Sequence, residues 1–318
     1  MIKVNFNKCI EVAKILKNIT ISIDYFIDPK LYPSIDTDYE DTLNYFLAVV
    51  AIDHRTERTG KVDNKYEVVE EYCKEISGEK FKGSDLLWRL SLLKFQENPK
   101  FFTPKNLAEL REVEVRRWLD VKDVEVRTAL LRDLGKKIMR YYNSSTLNLL
   151  DKIEKICSDH QTSGILEKLR IFKAYEDPVE KKSFLLIKFL KRRKLLKILD
   201  EENLHVCVDN HLTRVAIRLG LVEPNQELLP LLKWEKEAEY FEDIIIRLTV
   251  RQAYKIVSNC SEIEPTILDD FFWNFGKKIC KLRETSCEKC IFKNVCESVR
   301  DKLRKNLREH YYYKTWYY

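Results

Sequence analysis

The chain has 318 residues, 57 of them Lys or Arg against 51 Asp or Glu, for a formal charge of +6. Only 7 Gly and 8 Pro interrupt a sequence rich in Lys, Glu, Leu and Ile, which excludes collagen-like and low-complexity classes and favours a mostly helical fold. No apolar run reaches the length of a membrane span. The stretch MIKVNFNKCIEVAKILKN lacks a signal-peptide apolar region, so the nine cysteines are expected in a reducing cytoplasm, not in a disulfide framework. At this length the chain can bury a large core and divide into two lobes.

In chain order, an amphipathic helix is expected from Asn7 to Lys17, followed by an irregular link holding Pro29 and Pro33. Thr37-Asp38-Tyr39-Glu40 reads as a capping box with Thr37 as N-cap. The helix it starts, Asp38 to about Asp53, is almost continuously apolar in its middle and should be central and buried. Residues 58–100 are polar and charged, with Leu86, Leu87 and Trp88 offering one helix face. Thr103-Pro104 puts Pro at a first helical position. Helices are expected over Asp123–Tyr142, Leu147–Ile156 and around Ile165–Ala174. Asp177-Pro178-Val179-Glu180 is a further helix start, with an acidic cap, Pro at N1 and Glu at N3, running to about Leu199.

Charge is unevenly placed. Residues 181–200 carry eight Lys or Arg (among them Lys181, Lys182, Lys188, Lys191 and Arg192) against Asp200 alone, and residues 277–309 carry eleven basic residues against five acidic ones. Positive charge concentrated on an otherwise acidic chain points to a polyanion partner; a solvated helix face is the plainer account.

The chemistry-bearing stretch lies near the end: Cys280, Cys287, Cys290 and Cys296, separated by six, two and five residues. Four thiolates so close in sequence suit a [4Fe–4S] cluster, one sulfur per iron. A structural zinc also takes four cysteines, but its sites usually show two C-x2-C-like knuckles, and only one such pair is present. The other cysteines, Cys9, Cys73, Cys157, Cys207 and Cys260, are scattered and read as small core residues.

This spacing, preceded by Phe271-Phe272-Trp273-Asn274-Phe275-Gly276-Lys277-Lys278-Ile279, resembles the iron–sulfur loop of endonuclease III-type DNA glycosylases. Val208-Asp209-Asn210-His211-Leu212-Thr213-Arg214-Val215, with Arg218-Leu219-Gly220-Leu221, is similar to a second segment of that family. The resemblance implies an all-α, two-lobed fold: a barrel-like lobe over 36–200 with a degenerate hairpin, and a cluster lobe from 1–35 plus 201–318. It implies that Asp209 is the catalytic aspartate, that Lys182 (or its neighbour Lys181) is the nucleophilic lysine of bifunctional members, and that the two face each other in the cleft. It also implies a [4Fe–4S] cofactor, damaged double-stranded DNA as partner, and a monomer. His54 falls where the family's loop inserts a glutamine into DNA, with Arg55 beside it; Lys188, Lys191, Arg192, Lys289 and Lys293 become candidate phosphate contacts.

Each of these residues has a plainer role. Asp209 is well placed simply to cap the helix after it. His54 and Arg55 stand where cations favour a helix C-terminus. The family's hairpin turn holds glycines that let backbone N–H groups reach a phosphate. Here Tyr175-Glu176-Asp177-Pro178 replaces it without a glycine. The functions in view are therefore a base-excision N-glycosylase with or without lyase activity, a nucleoside or nucleotide N-glycosidase on the same scaffold, and a non-catalytic nucleic-acid-binding iron–sulfur protein.

Overall fold

The structure is a computed structural model that describes every residue except Met1, Asn64 and Gln161, and all described side chains except that of Lys302. The chain divides into two compact units. One comprises Met1–Ile23, Gly60–Glu67 and Leu204–Thr315; the other comprises Asp24–Thr59, Val68–Asn203 and Trp316–Tyr318. The boundaries differ from the sequence reading in four places, one of them residues 201–203, which fold with the second unit. Residues 24–35 fold with the second unit because Phe26 and Tyr32 pack on Phe189. Gly60–Glu67 joins the first unit, where Glu67 accepts from Arg308 and Arg283. The last three residues join the second.

In the first unit, the strand Ile2–Val4 pairs antiparallel with Val222–Pro224. The helix Phe6–Leu16, capped by the Asn5 side chain on Lys8 N–H, buries Cys9, Val12, Ala13 and Leu16. That is one helical stripe, and it lies on the long helix Tyr240–Ser261. The helix Asn210–Leu219 packs on Tyr240–Ser261 and on Pro265–Lys278. Gly276 permits the second contact, because a Cβ there would stand 2.9 Å from the Cβ of His211. Phe272 stacks on Phe292 at 5.8 Å, fastening the cysteine-bearing loop to the Pro265–Lys278 helix.

In the second unit the helix Tyr39–Ile52 is buried without a break from Asp41 to Ile52. The helices Gly83–Glu97, Val124–Tyr141 and Lys181–Arg192 pack around it. Its Phe46 stacks on Phe189 at 5.1 Å, and the buried Tyr175 hydroxyl donates to Leu47 O at 2.6 Å. The N-cap is Asp38, accepting from Asp41 N–H, one residue after the expected Thr37. Glu40 does not reach back; it accepts from Ser145 Oγ and Thr146 N–H instead.

The expectation of a helical chain holds in the main, with small sheets added to it. Helices dominate, but three two-stranded sheets are present among the described residues. Two of them occupy 58–82, pairing Arg58–Val62 with Lys65–Glu70 and Cys73–Ile76 with Glu79–Lys82. The second hairpin turns at Ser77 and Gly78, with φ of 53° and 79°, the two successive positive values that a tight two-residue loop requires. Leu147–Ile156 is helical only over Thr146–Leu150, and Ile165–Ala174 only over Ile165–Leu169. Of the five scattered cysteines, Cys9 and Cys207 are core residues while Cys73 is exposed. Among the described residues no helix is long and apolar enough to cross a membrane.

Candidate functional site

In the first unit the helix Asn210–Leu219 organises the site. Asp209 is its N-cap, Oδ1 accepting from Leu212 N–H at 2.9 Å. The carboxylate is half-buried. Next in the chain, Asn210 Oδ1, and one turn on the Oγ1 of the buried Thr213, are enclosed with no hydrogen-bond partner among the described residues, polar atoms that normally find one when buried. The helix also carries Arg214 and Arg218, four residues apart, so they lie in one row. Arg214 donates to Cys280 O, to Gly276 O, to His211 Nδ1 and to the buried Glu309 at 2.9 Å. Burial and the Arg214 charge push the His211 ring down to about 3, so it is neutral and accepts from that guanidinium.

Arg218, one turn on, donates to Lys281 O, Leu282 O and Leu307 O, and to Cys280 Sγ at 3.7 Å. Its own carbonyl accepts from Ser298 Oγ at 2.8 Å and from Cys296 Sγ at 3.4 Å. Gly220 ends the helix at φ 91°, where a side chain would also strike Glu297. Cys280, Cys287, Cys290 and Cys296 line one cavity together with Arg218 and Phe275. Burial pushes the Cys290 thiol up to about 11 and raises Cys296. Lys289 and Lys293 of the same loop are exposed.

In the second unit, the end of the Tyr39–Ile52 helix is met by cations. The fully buried Arg127 donates to Ile52 O, His54 O, Arg55 O and Lys122 O. Lys181 Nζ donates to Asp53 O at 3.2 Å. Lys182, 0 % exposed, donates to Ala51 O at 2.6 Å and lies 3.3 Å from His54 Nδ1. Burial, then the charges of Lys181 and Arg127, hold the Lys182 amine well below the usual lysine range. Burial and the Arg127 and Lys182 charges do the same to His54. The structure thus brings Lys181, Lys182, His54 and Arg55 together, and places Asp209 and the four cysteines in the other unit.

The basic run 181–200 is buried or paired over its first part, while Lys194 and Lys197 are exposed. Lys181, Lys182 and Lys188 are buried, Lys188 over the Phe26 ring at 5.7 Å. Lys191 pairs with Glu201 at 2.9 Å, and Arg192 donates to Asp24 O at 2.8 Å. These side chains serve main-chain carbonyls and partners inside their own unit.

The turn before this helix is made without glycine. Glu180 stands at φ 60°, ψ 28°, the left-handed region where glycine is usual, and pairs with Arg170. The helix therefore begins at Lys181, not at Pro178. The buried Asp177 takes the N–H groups the turn offers: Oδ1 accepts from Val179 N–H and Oδ2 from Lys181 N–H, both at 3.0 Å, and its carbonyl accepts from Glu180 N–H at 2.8 Å. No sequence signal announced that arrangement beyond Asp before Pro. The aromatic C-terminal tail docks on protein: Trp316 Nε1 donates to Lys173 O, and Arg55 N–H to Tyr318 O.

These features define a helical fold with a carboxylate-capped helix leading to a cysteine-lined cavity in one unit, and a buried lysine at the end of a central helix in the other. The fold is that of endonuclease III-type DNA glycosylases. The chain superposes on a structure of endonuclease III trapped as a covalent intermediate with DNA (an estranged-adenine complex), with TM-score 0.50 and 13% identity over 93% of this chain and 96% of that one. A thermostable thymine-DNA glycosylase matches with TM-score 0.42 and 12% identity, over 92% of this chain and 98% of that one. No protein-family model and no curated protein sequence matches the chain.

Proposed function

We propose that the chain is a DNA base-excision N-glycosylase that carries a [4Fe–4S] cluster and has lyase activity through Lys182. The observation that carries this reading is the Asn210–Leu219 helix. One rigid element holds a carboxylate at its N-cap and a cysteine-cavity arginine near its other end. Cleavage of an N-glycosidic bond develops positive charge on the sugar, and a fixed carboxylate stabilises that charge. Asp209 supplies the carboxylate, and the enclosed, unpartnered atoms of Asn210 and Thr213 supply polar contacts for a ligand beside it. In the lyase branch the neutral Lys182 amine bonds to C1′ as the base departs with the former bonding pair and takes up a proton. The C1′ adduct becomes a Schiff base as the C1′–O4′ bond opens, O4′ leaving with the bonding pair and taking up a proton; loss of a C2′ proton then expels the 3′ phosphate.

The cysteines fit the cluster. All four cysteines line one cavity, a donor set that would supply one thiolate to each iron of a four-iron cube. Cys280, Cys287, Cys290 and Cys296 would hold such a cluster, which would tie four points of the loop together. Arg218 and Arg214 hold the protein side of that loop, and Lys289 and Lys293 face outward from it toward phosphate.

A second reading, a nucleotide N-glycosidase on the same scaffold, is favoured by Asp177, whose carboxylate occupies the turn amides that related hairpins offer to a DNA phosphate. Purified, iron-loaded protein assayed on duplexes carrying uracil, oxidised bases or abasic sites, and on free nucleotides, separates the two. Asp209→Asn keeps an N-cap oxygen, so it should abolish release of base while leaving duplex affinity and stability near those of the parent. Equal activity in that variant would remove Asp209 from the chemistry.

A further inference from the structure

Among the described residues the buried Lys182 amine has two hydrogen-bond partners, Ala51 O at 2.6 Å and His54 Nδ1 at 3.3 Å. A neutral amine has two N–H bonds, and an ammonium has three. Two acceptors therefore satisfy the amine and leave its lone pair free, whereas an ammonium would bury a third N–H with nothing to receive it. If the His54 ring accepts at Nδ1, its proton is on Nε2, and Nε2 is itself enclosed with no partner in a side chain 4 % exposed. That is an unfilled donor beside a free lone pair.

We infer that His54 is a positioning residue for Lys182: its Nδ1 accepts one amine proton and orients the lone pair, and its Nε2–H is left to donate to a substrate oxygen. The inference deepens the lyase reading above and rests on it for the identity of the substrate, a sugar or phosphate oxygen of the attacked nucleotide. It gives His54 a role other than insertion into DNA, for which its burial leaves no protruding side chain. The surroundings favour the neutral pair. Lys181 and Arg127 face Lys182, and Lys122 also faces His54, against the carboxylates of Asp53 and Asp177. Arg127 and Lys181 also hold the carbonyls on either side of His54, fixing the backbone from which the ring projects.

The test follows the Lys182 amine directly by 15N NMR of lysine-labelled, cluster-loaded protein across pH, and in parallel by borohydride trapping on abasic-site DNA. A neutral-amine resonance absent from Lys182→Met should be present in the parent. His54→Ala removes the acceptor and admits water, so the titration midpoint should rise by a unit or more, with trapping below the midpoint falling about tenfold per unit. His54→Asn, whose side-chain oxygen falls near the Nδ1 position, should restore both. An unchanged midpoint in His54→Ala, or failure of His54→Asn to restore it while the protein remains folded, overturns the inference. A His54-dependent midpoint without any trapping would leave the inference standing and overturn the lyase reading instead.

Discussion

The Arg218 guanidinium donates to the sulfur of Cys280 at 3.7 Å while the Arg218 carbonyl accepts from the sulfur of Cys296 at 3.4 Å. One residue thus touches the first and the last cysteine of the loop. It is 3 % exposed, and its other donors close on three main-chain carbonyls, so its charge serves both the loop's shape and its sulfurs.

Arg218→Ala should therefore weaken two properties together. Three carbonyls, that of Leu307 buried, lose a charged donor, a loss of about 3 kcal/mol, seen as a lower urea midpoint. Iron content should fall in the same preparations, from about four irons per chain toward none. Full iron retention with lowered stability would show that the loop holds its metal without this arginine. Zinc at one per chain in the parent would replace the cluster with a structural zinc.

His211 makes the first unit sensitive to acid. Its folded value near 3 lies below the ordinary 6.5, so as pH falls the unfolded chain binds the proton first. Stability is fully present above about 6.5 and is lost progressively toward 3. His211→Gln cannot titrate. The stability gap between parent and variant should shrink by about 2 kcal/mol between pH 7 and pH 5, measured by urea unfolding at each pH. A constant gap would mean that the ring is protonated in the folded protein.

Gly276 sets how closely the Pro265–Lys278 helix approaches His211. A Cβ would lie 2.9 Å from the Cβ of His211, and neither backbone can yield without moving a helix. Gly276→Ala should destabilise by about 1–3 kcal/mol, despite the usual gain from replacing a helical glycine with alanine. Thermal unfolding of the two proteins checks the sign.

What could be read in the sequence follows from how local each cause is. Caps and periodicity are local, so the Tyr39–Ile52 helix, Pro104 at a first turn and the Asp209 cap were legible within a residue or two. The hairpins over 58–82 were not, because most of their side chains are charged and exposed and leave no apolar alternation to count. The fate of the 181–200 lysines was hidden for a different reason. Carbonyls at 51 and 53, far away in the sequence, are what receive Lys182 and Lys181, and charge alone cannot say whether a lysine faces water or a helix end. The Lys182–His54 contact spans 128 residues and needed the fold.

The turn at 177–181 offers the last prediction. Asp177 satisfies the amides of residues 179, 180 and 181 with its carboxylate and carbonyl, and Glu180 accepts a left-handed conformation to permit it. Asp177→Ala removes the carboxylate but not the carbonyl, so two buried N–H groups lose their acceptor at a helix start. The loss should be about 1–3 kcal/mol. The freed amides then point at a space vacated by an anion, the arrangement that binds phosphate or sulfate at helix N-termini. Sulfate at tens of millimolar should accordingly recover more stability in Asp177→Ala than in the parent, compared with chloride at matched ionic strength. An equal response of the two proteins would show that the turn collapses without its carboxylate. In that case Asp177 is a requirement of the fold, and the amides have no latent affinity for phosphate.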